Sequence, residues 1–241
     1  MTRFRHAVVL EPVTRGWFDD NVGLGHDIVT EFLGSEGLPL AEGEHLAPGA
    51  RYAAEELRVT VDSWRRRAET AGQVDFTDEH VAAILSVRLI SASAPRLAEL
   101  TGDVRLRLPR TMRWAGRFRG SVRADLERWW HAVGTVRSGD QPAIEGSVRQ
   151  AMGRASFAIV PAVAPDGRWR VAVHGKLGGR GLLAPFTALA LLFLRGRARQ
   201  VFQETLDEFA EEWNREVPRL LATSPEEMRV RLMSELARAQ P

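Results

Sequence analysis

Cysteine is absent from the 241-residue sequence, and lysine and tyrosine each occur only once. Without cysteine the chain has no disulfide, no thiolate-bound metal and no thiol nucleophile. Because Lys176 is the only lysine, almost all of the 33 basic residues are arginine. Abundant arginine and alanine are typical of a GC-rich bacterial genome, and arginine also suits two-point contacts with phosphate or carboxylate.

No apolar run in the sequence is long enough for a membrane span. The longest covers 182–194 and is interrupted by Pro185 and Thr187, whereas a spanning helix needs about twenty apolar residues. The apolar run near the N-terminus, 7–10, is too short for the core of a signal peptide. We therefore expect a cytoplasmic protein, with peripheral contact between a membrane and the apolar, arginine-flanked 182–199 segment left open.

The sequence also lacks the usual motifs of cofactor and metal sites. The glycine-rich "GKLGGRG" at 175–181 has the spacing neither of a phosphate-binding loop nor of a dinucleotide fingerprint. There is no H-E-x-x-H, no EF-hand loop and no G-x-S-x-G elbow. We therefore expect no cofactor and no bound metal.

The composition that remains is that of a folded globular chain, with 44% hydrophobic and 27% charged residues. The formal net charge of +2 argues against a general attraction to nucleic acid. The length suits one large domain, which we place at 1–222, followed by a short terminal helix at 223–241.

The clearest pattern in the chain is a β-hairpin. Apolar residues in "FAIVPAV" and "WRVAVHG" flank the turn "PDG" at 165–167. A short strand is predicted at the N-terminus, ending at Pro12, and a helix is predicted before Gly34. A long helix is predicted over 183–221, and Ser224 followed by Pro225 marks the start of the terminal helix.

Two other regions are predicted to be wholly or partly helical. Spacing of Tyr52, Leu57, Val61 and Trp64 indicates a helix that stops near Gly72, and a second helix is predicted over 77–94. Residues 105–130 fit the period of a helix and also that of a strand. Apolar residues recur at every fourth position, as on one side of a helix, and they also alternate with arginine, as in a strand. We expect a strand up to residue 108 and a helix within 110–133.

The hairpin, the glycine-rich exit "GGRGLLAP" and the long helix together resemble the C-terminal part of the SRPBCC or START-like (helix-grip) superfamily. The resemblance covers about 156–221. It implies a curved antiparallel sheet wrapped around a long C-terminal helix, with an apolar cavity between them. That family includes binding proteins, lipid carriers and cyclases, so the resemblance fixes no chemistry. It also requires several strands before the hairpin, where the pattern instead predicts helices, so we expect a helical insertion over 50–100.

The sequence therefore predicts an α+β fold with an antiparallel sheet, a long helix-grip-like C-terminal helix and a helical insertion in the N-terminal half. The alternative is a mostly α-helical bundle with one β-hairpin. The predicted function is binding of a small apolar or amphipathic ligand between sheet and helix, and any catalysis would be cofactor-independent cyclase- or lyase-type chemistry. Packing in a closed core is the alternative for every predicted lining residue, namely Trp114, Phe118, Phe157, Trp169, Val171, Phe186 and Leu189.

Few polar residues suggest catalysis. The acidic segment "WFDDNVGLGHDIVTE" supplies Asp19, Asp20 and His26, whose residue types suit acid–base chemistry but also suit turns and helix caps. His131 beside two tryptophans and His174 on the second hairpin strand are the other candidates. We expect His174 to point away from Trp169, because side chains alternate along a strand.

An alternative function is an interaction module built on the arginine-rich segment 105–128. Arginine interleaved with aromatic residues is suited to nucleic acid, to an acidic partner or to an anionic membrane surface. The same arginines could form a solvated face that is paired with carboxylates from other segments.

Overall fold

A computed structural model of the protein describes residues 2–35, 38–109, 115–135, 141–179 and 184–238, and for 184–195, 198 and 235–238 it describes the helical backbone alone. The strands are β1 (Thr2–Leu10), β2 (Leu40–Glu42), β3 (Arg51–Ala54), β4 (Leu57–Trp64), β5 (Glu69–Thr77), β6 (Val81–Ile90), β7 (Leu97–Leu106), β8 (Arg117–Asp125), β9 (Ile144–Gln150), β10 (Gly153–Val163) and β11 (Trp169–Gly179). The helices are α1 (Arg15–Phe32), α2 (Leu126–Gly134), α3 (Ala184–Ala222) and α4 (Pro225–Arg238).

All eleven strands form one antiparallel sheet. Strands β2 to β11 lie side by side in chain order, and β1 pairs with β11 at the far edge. The long C-terminal helix α3 packs on β1 and β11. The predicted α+β class, with an antiparallel sheet and a long C-terminal helix, is confirmed.

The register of the strands separates an apolar face from a charged face. Val87, Leu100 and Val122 lie side by side on β6, β7 and β8, and we call their side of the sheet the apolar face. The residues one position along each chain, Arg88, Glu99 and Arg123, lie on the opposite side, which we call the charged face. The division follows from the two-residue period of a β-strand.

The position of α1 shows that the sheet curls with its apolar face inward. At one end of α1, Trp17 packs against the core formed by β1 and β11. Thirteen residues later, Thr30 Oγ1 accepts a hydrogen bond of 2.9 Å from Nε1 of Trp64 on β4. That helical span is about 20 Å long, whereas the seven strand spacings from β11 to β4 add up to about 34 Å along the sheet. The sheet is therefore wider over this span than the helix is long, which indicates a sheet curled around α1.

Two buried clusters hold the margins of the sheet. The first joins α3 to β1 and β11 and comprises Val8, Leu10, Val13, Trp169, Val171, Val173, Ala210 and Val217. The second lies where the end of α1 meets β3 and β4 and comprises Leu33, Leu38, Ala50, Tyr52 and Val61. Helix α4 packs on α1, where Arg229 forms an ion pair with Glu31.

The predicted helical insertion over 50–100 is wrong, because this region forms β3 to β6 and the start of β7. Leu57 and Val61 are four residues apart, and a spacing of four places two side chains on one side of a helix and also on one side of a strand. The predicted helix start near residue 77 is a strand turn. There Asp78 Oδ1 accepts hydrogen bonds of 2.6 Å from the N–H groups of both His80 and Val81.

The same ambiguity of spacing explains the region 105–130. Strand β7 ends at Leu106, and the alternating pattern from Arg117 to Asp125 forms β8. The predicted helix begins only at Leu126, so Phe118 and Val122 lie in a strand rather than in a helix.

The remaining elements agree with the sequence patterns. The N-terminal strand, the hairpin formed by β10 and β11, and the helices α1 and α3 are confirmed. Helix α4 begins at Pro225, and Ser224 Oγ accepts a hydrogen bond from the N–H of Glu227. Among the described residues, none of the helices combines the length and the hydropathy needed to cross a membrane.

Candidate functional site

The middle of the apolar face is exposed, although its margin is buried. Leu100 and Val148 are 40% and 44% exposed, and Leu85 and Val87 are exposed to a similar extent. Beside Val87 lies an almost wholly apolar depression of about 210 Å³, whose lining includes Leu85, Leu100, Val104, Phe118, Val148 and Phe157. Large exposed apolar patches on a folded domain mark binding surfaces more often than isolated apolar residues do.

Glycines give the depression its shape. Gly102 and Gly120 are paired on neighbouring strands, so two adjacent positions of the apolar face carry no side chain. Gly146 lies directly under the ring of Phe157, and a Cβ atom at that position would overlap the ring. The missing side chains therefore lower the floor of the depression and let an aromatic ring lie against the backbone.

Unpartnered polar groups lie near the α1 end of the same face. The His26 ring stacks on Trp64 with 5.0 Å between centroids, and its side chain is only 8% exposed. Neither ring nitrogen has a hydrogen-bond partner among the described residues, and the nearest carboxylate, Asp27, is 3.6 Å from Nδ1. Burial lowers the pKa of His26 below its usual 6.5, and the neighbouring Asp27 carboxylate opposes this shift, so burial disfavours the charged form of the ring.

Three more buried polar atoms, on α1, β5 and α2, have no partner among the described residues: Asp19 Oδ1, Thr70 Oγ1 and Trp130 Nε1. Asp19 precedes His26 by seven residues and therefore lies on the same side of α1, two turns away. The pKa of Asp19 is raised, mainly by burial. The nearby charge of Asp20 adds to this shift, and Arg15 at 3.7 Å opposes it. Buried polar atoms are normally hydrogen-bonded, so four residues with unpartnered ones stand out. We call these residues, Asp19, His26, Thr70 and Trp130, the polar end.

Strand register places Thr70, one member of the polar end, near the depression. Thr70 pairs with Trp64 on one side and with Leu89 on the other. Its row on the apolar face is two residues along the strand from the row that contains Val87 and Leu100, a distance of about 7 Å. An elongated molecule in the depression would therefore point one end towards these polar atoms.

The predicted lining residues fall into three groups. Phe118 and Phe157 do line the depression. Trp169 and Val171 are 5% and 4% exposed and pack in the core under α3. Trp114 lies outside the described residues, as do the side chains of Phe186 and Leu189.

The predicted catalytic candidates are not all brought together. His174 lies on the charged face, opposite to Trp169 as expected from alternation, and its Nε2 atom has no partner among the described residues. His131 is exposed near the end of α2, and Asp20 is exposed on α1. Only Asp19 and His26 lie on the same side of one helix, two turns apart on α1.

Sequence reasoning missed the parts of the site that lie in β5, β6 and β7. Thr70, Leu85 and Leu100 belong to the region that was predicted to be helical. The signal that would have revealed β6 is the strict alternation in "SVRL" at 86–89, in which Val87 and Leu89 share one face.

The arginine-rich segment 105–128 is largely paired with carboxylates on the charged face. Asp103 forms ion pairs with Arg105, Arg117 and Arg119. Hydrogen bonds from Arg117 and Arg119 hold the pKa of Asp103 far below its usual value. Arg123 is 3.4 Å from Glu99. Most described arginines of this segment therefore take part in ion pairs with carboxylates.

The described residues contain no group of three or more histidine, aspartate or glutamate side chains arranged to hold a metal ion. The site therefore offers two kinds of surface, namely apolar contact area and a few neutral hydrogen-bonding groups. No protein-family model matches the sequence, and a search of curated proteins gives no match either.

Proposed function

We propose that the protein binds a small amphipathic ligand whose apolar part lies in the depression and whose polar group faces the polar end. The observation that carries the proposal is the exposure of Leu85, Val87, Leu100 and Val148 in the middle of a face that is buried at its margin. The depression lies beside α3, which covers β1 and β11.

The energetics of the depression favour an apolar occupant. A ligand whose binding removes about 200 Å² of apolar surface from water, counted over ligand and protein together, gains about 5 kcal/mol before the costs of association. The lining offers little hydrogen bonding of its own, so a strongly polar molecule would lose hydration without replacement. This balance supports an alkyl or polycyclic body for the ligand.

The polar end supports an uncharged hydrogen-bonding group on the ligand. A neutral imidazole both donates and accepts hydrogen bonds, and Thr70 offers a hydroxyl with the same two abilities. Because burial disfavours the charged forms of both His26 and Asp19, a ligand hydroxyl or carbonyl fits better than a carboxylate. The same two side chains are suited to acid–base steps in a cofactor-independent cyclase- or lyase-type reaction.

The topology supports the SRPBCC or START-like assignment as part of this proposal. A first strand, a helix, a meander that returns beside the first strand and a long C-terminal helix follow one another in the chain. In that superfamily the apolar space between sheet and helix receives the ligand, whereas the described lining of this depression comes from strands β6 to β10 alone.

The direct test is titration with Nile red, a neutral apolar dye, followed by fluorescence. Leu100→Ser should weaken binding by about tenfold, since it removes one apolar side chain from the contact. Val230→Ser is the matched control, because Val230 is an exposed apolar residue on α4, away from the depression. Equal affinities of the two variants, or no dye binding by the unmodified protein, would contradict the proposal.

Competition with decan-1-ol and decanoate tests the role of the polar end. The alcohol should displace the dye at a lower concentration than the carboxylate does, because the polar end disfavours charge. His26→Phe keeps the ring stacked on Trp64 but removes both nitrogens, so it should reduce this preference while leaving dye affinity nearly unchanged.

A further inference from the structure

The charged face carries a second feature, formed by β8, β9 and β10 near the ends of these strands that lie away from α1. Arg119, Arg149 and Arg154 are cross-strand neighbours in one row on that face. Their Cα atoms span two strand spacings, about 10 Å. Like charges placed directly opposite one another destabilise a sheet, so this row needs an explanation other than stability.

Small polar side chains form the next row. Ser121, Ser147 and Ser156 lie side by side, and the first two have Oγ atoms 3.2 Å apart. The row continues to Lys176 on β11 and to Arg3 on β1. Hydroxyl groups therefore form a floor between cations.

A depression of about 510 Å³ lies over the β8 and β9 part of these rows. Its lining includes Arg117, Arg119, Ser121, Ser147 and Arg149. It is thus a polar recess on the charged face, whereas the ligand depression described above lies on the apolar face.

Only some of the cations around the recess have a carboxylate as an ion-pair partner. Arg117 and Arg119 are held by Asp103. Arg149, Arg154 and Lys176 are exposed, and none of them forms an ion pair with a carboxylate of the described part of the chain. The carboxylates of β5 and β7 neutralise the arginines of β6 and β8, but they do not neutralise the cations of β9, β10 and β11.

We propose that this recess, which is lined by Arg117, Arg119 and Arg149 around Ser121 and Ser147 and has Arg154 and Lys176 on the neighbouring strands, binds a phosphate group. Guanidinium groups bind phosphate oxygens at two points, and serine hydroxyls donate further hydrogen bonds to them. A dianionic phosphate would relieve the repulsion within the arginine row. The phosphate group belongs either to a small phosphate ester or to the headgroup of an anionic lipid.

The test compares two double variants of equal charge change. Arg149→Gln/Arg154→Gln removes the uncompensated part of the row. Arg58→Gln/Arg170→Gln is the control, because Arg58 and Arg170 are exposed on the same charged face but lie away from the recess, on β4 and at the α1 end of β11. Pyrophosphate binding is measured by calorimetry, and vesicle binding by cosedimentation with phosphatidylcholine, with and without phosphatidylglycerol.

The unmodified protein should bind pyrophosphate or the phosphatidylglycerol vesicles, and Arg149→Gln/Arg154→Gln should weaken that binding at least about tenfold. The control should change it by less than about twofold. Pyrophosphate binding without vesicle binding identifies a soluble ester, and vesicle binding without pyrophosphate binding identifies a lipid headgroup. Binding of neither probe, or equal loss in both variants, would overturn the proposal.

A stability measurement separates recognition from a structural role. Without phosphate, Arg149→Gln/Arg154→Gln should unfold at the same urea concentration as the unmodified protein or at a higher one, since like charges are removed. A clearly lower midpoint would show that the arginines stabilise the fold and would contradict the proposal. Nile red affinity should be unchanged in this variant, so failure here is distinguishable from failure of the apolar-ligand proposal.

Discussion

The margin and the middle of the apolar face are built from the same kind of strand, yet they are used differently. Trp169 and Val171 at the margin are about 5% exposed, whereas Leu100 and Val148 in the middle are at least 40% exposed. Helices α2 and α3 pack over the strands at the margin. Alternation of apolar residues in the sequence thus predicts which face of the sheet is apolar. Packing of the helices determines which part of that face is buried.

The largest expected effect separates the two regions by stability. Trp169→Ala should lower the free energy of unfolding by about 3–5 kcal/mol, because it leaves a cavity in a packed cluster. Leu100→Ala should lower it by about 1 kcal/mol or less, because the side chain is already largely hydrated. Urea unfolding followed by circular dichroism measures both values. Similar losses for the two variants would show that the middle of the face is core after all.

A smaller effect is expected at the contact that holds α3 over the margin. Asn214 Oδ1 accepts a hydrogen bond of 2.7 Å from the N–H of Glu11, and its Nδ2 donates one of 2.9 Å to the carbonyl oxygen of Val9. Asn214→Ala leaves both backbone groups unpaired at the sheet edge, so it should cost about 1–3 kcal/mol in urea unfolding.

Gln203→Ala, on the same helix but without a described bond to β1, is the control for helix propensity. It should change the unfolding free energy by less than about 0.5 kcal/mol. Equal effects of the two substitutions would mean that α3 is held by its apolar contacts alone.

The smallest expected effect concerns pH at the polar end. Because burial lowers the pKa of His26, the unfolded chain binds a proton near pH 6.5 that the folded chain resists. The contribution of His26 to stability is therefore complete above pH 6.5 and is lost as the pH falls below it. His26→Phe should flatten the decline in unfolding free energy between pH 7.5 and about pH 5.5, measured by urea titration at each pH. An unchanged decline would show that His26 is not the responsible group.

Prediction from the sequence was most successful at the two ends of the chain. Pro12, the "PDG" turn and the Ser224–Pro225 pair each mark a boundary by local backbone chemistry, and local chemistry does not depend on the rest of the fold. Prediction failed between residues 50 and 106. There, spacings of four and the acidic turn at Asp78 and Glu79 are compatible with either helix or strand, and pairing between neighbouring strands decided the outcome.

The candidate site shows the same limit. Phe118 and Phe157 were predicted to line a ligand space, and they line the depression. Trp169 had the same alternating pattern but lies in the core. Sequence spacing did not distinguish these cases, because the pattern is identical whether an apolar face is covered by a helix or left open.

The sequence by itself determined the class of the fold, the hairpin, the long C-terminal helix and the lack of thiol chemistry, because these depend on composition, periodicity and turn residues. Only the tertiary structure decided which strands α3 covers, which polar atoms of α1 lie without partners beside the apolar face, and which arginines have a carboxylate next to them. These properties depend on strand register and on long-range contacts, since residues far apart in sequence become neighbours only when the sheet is assembled.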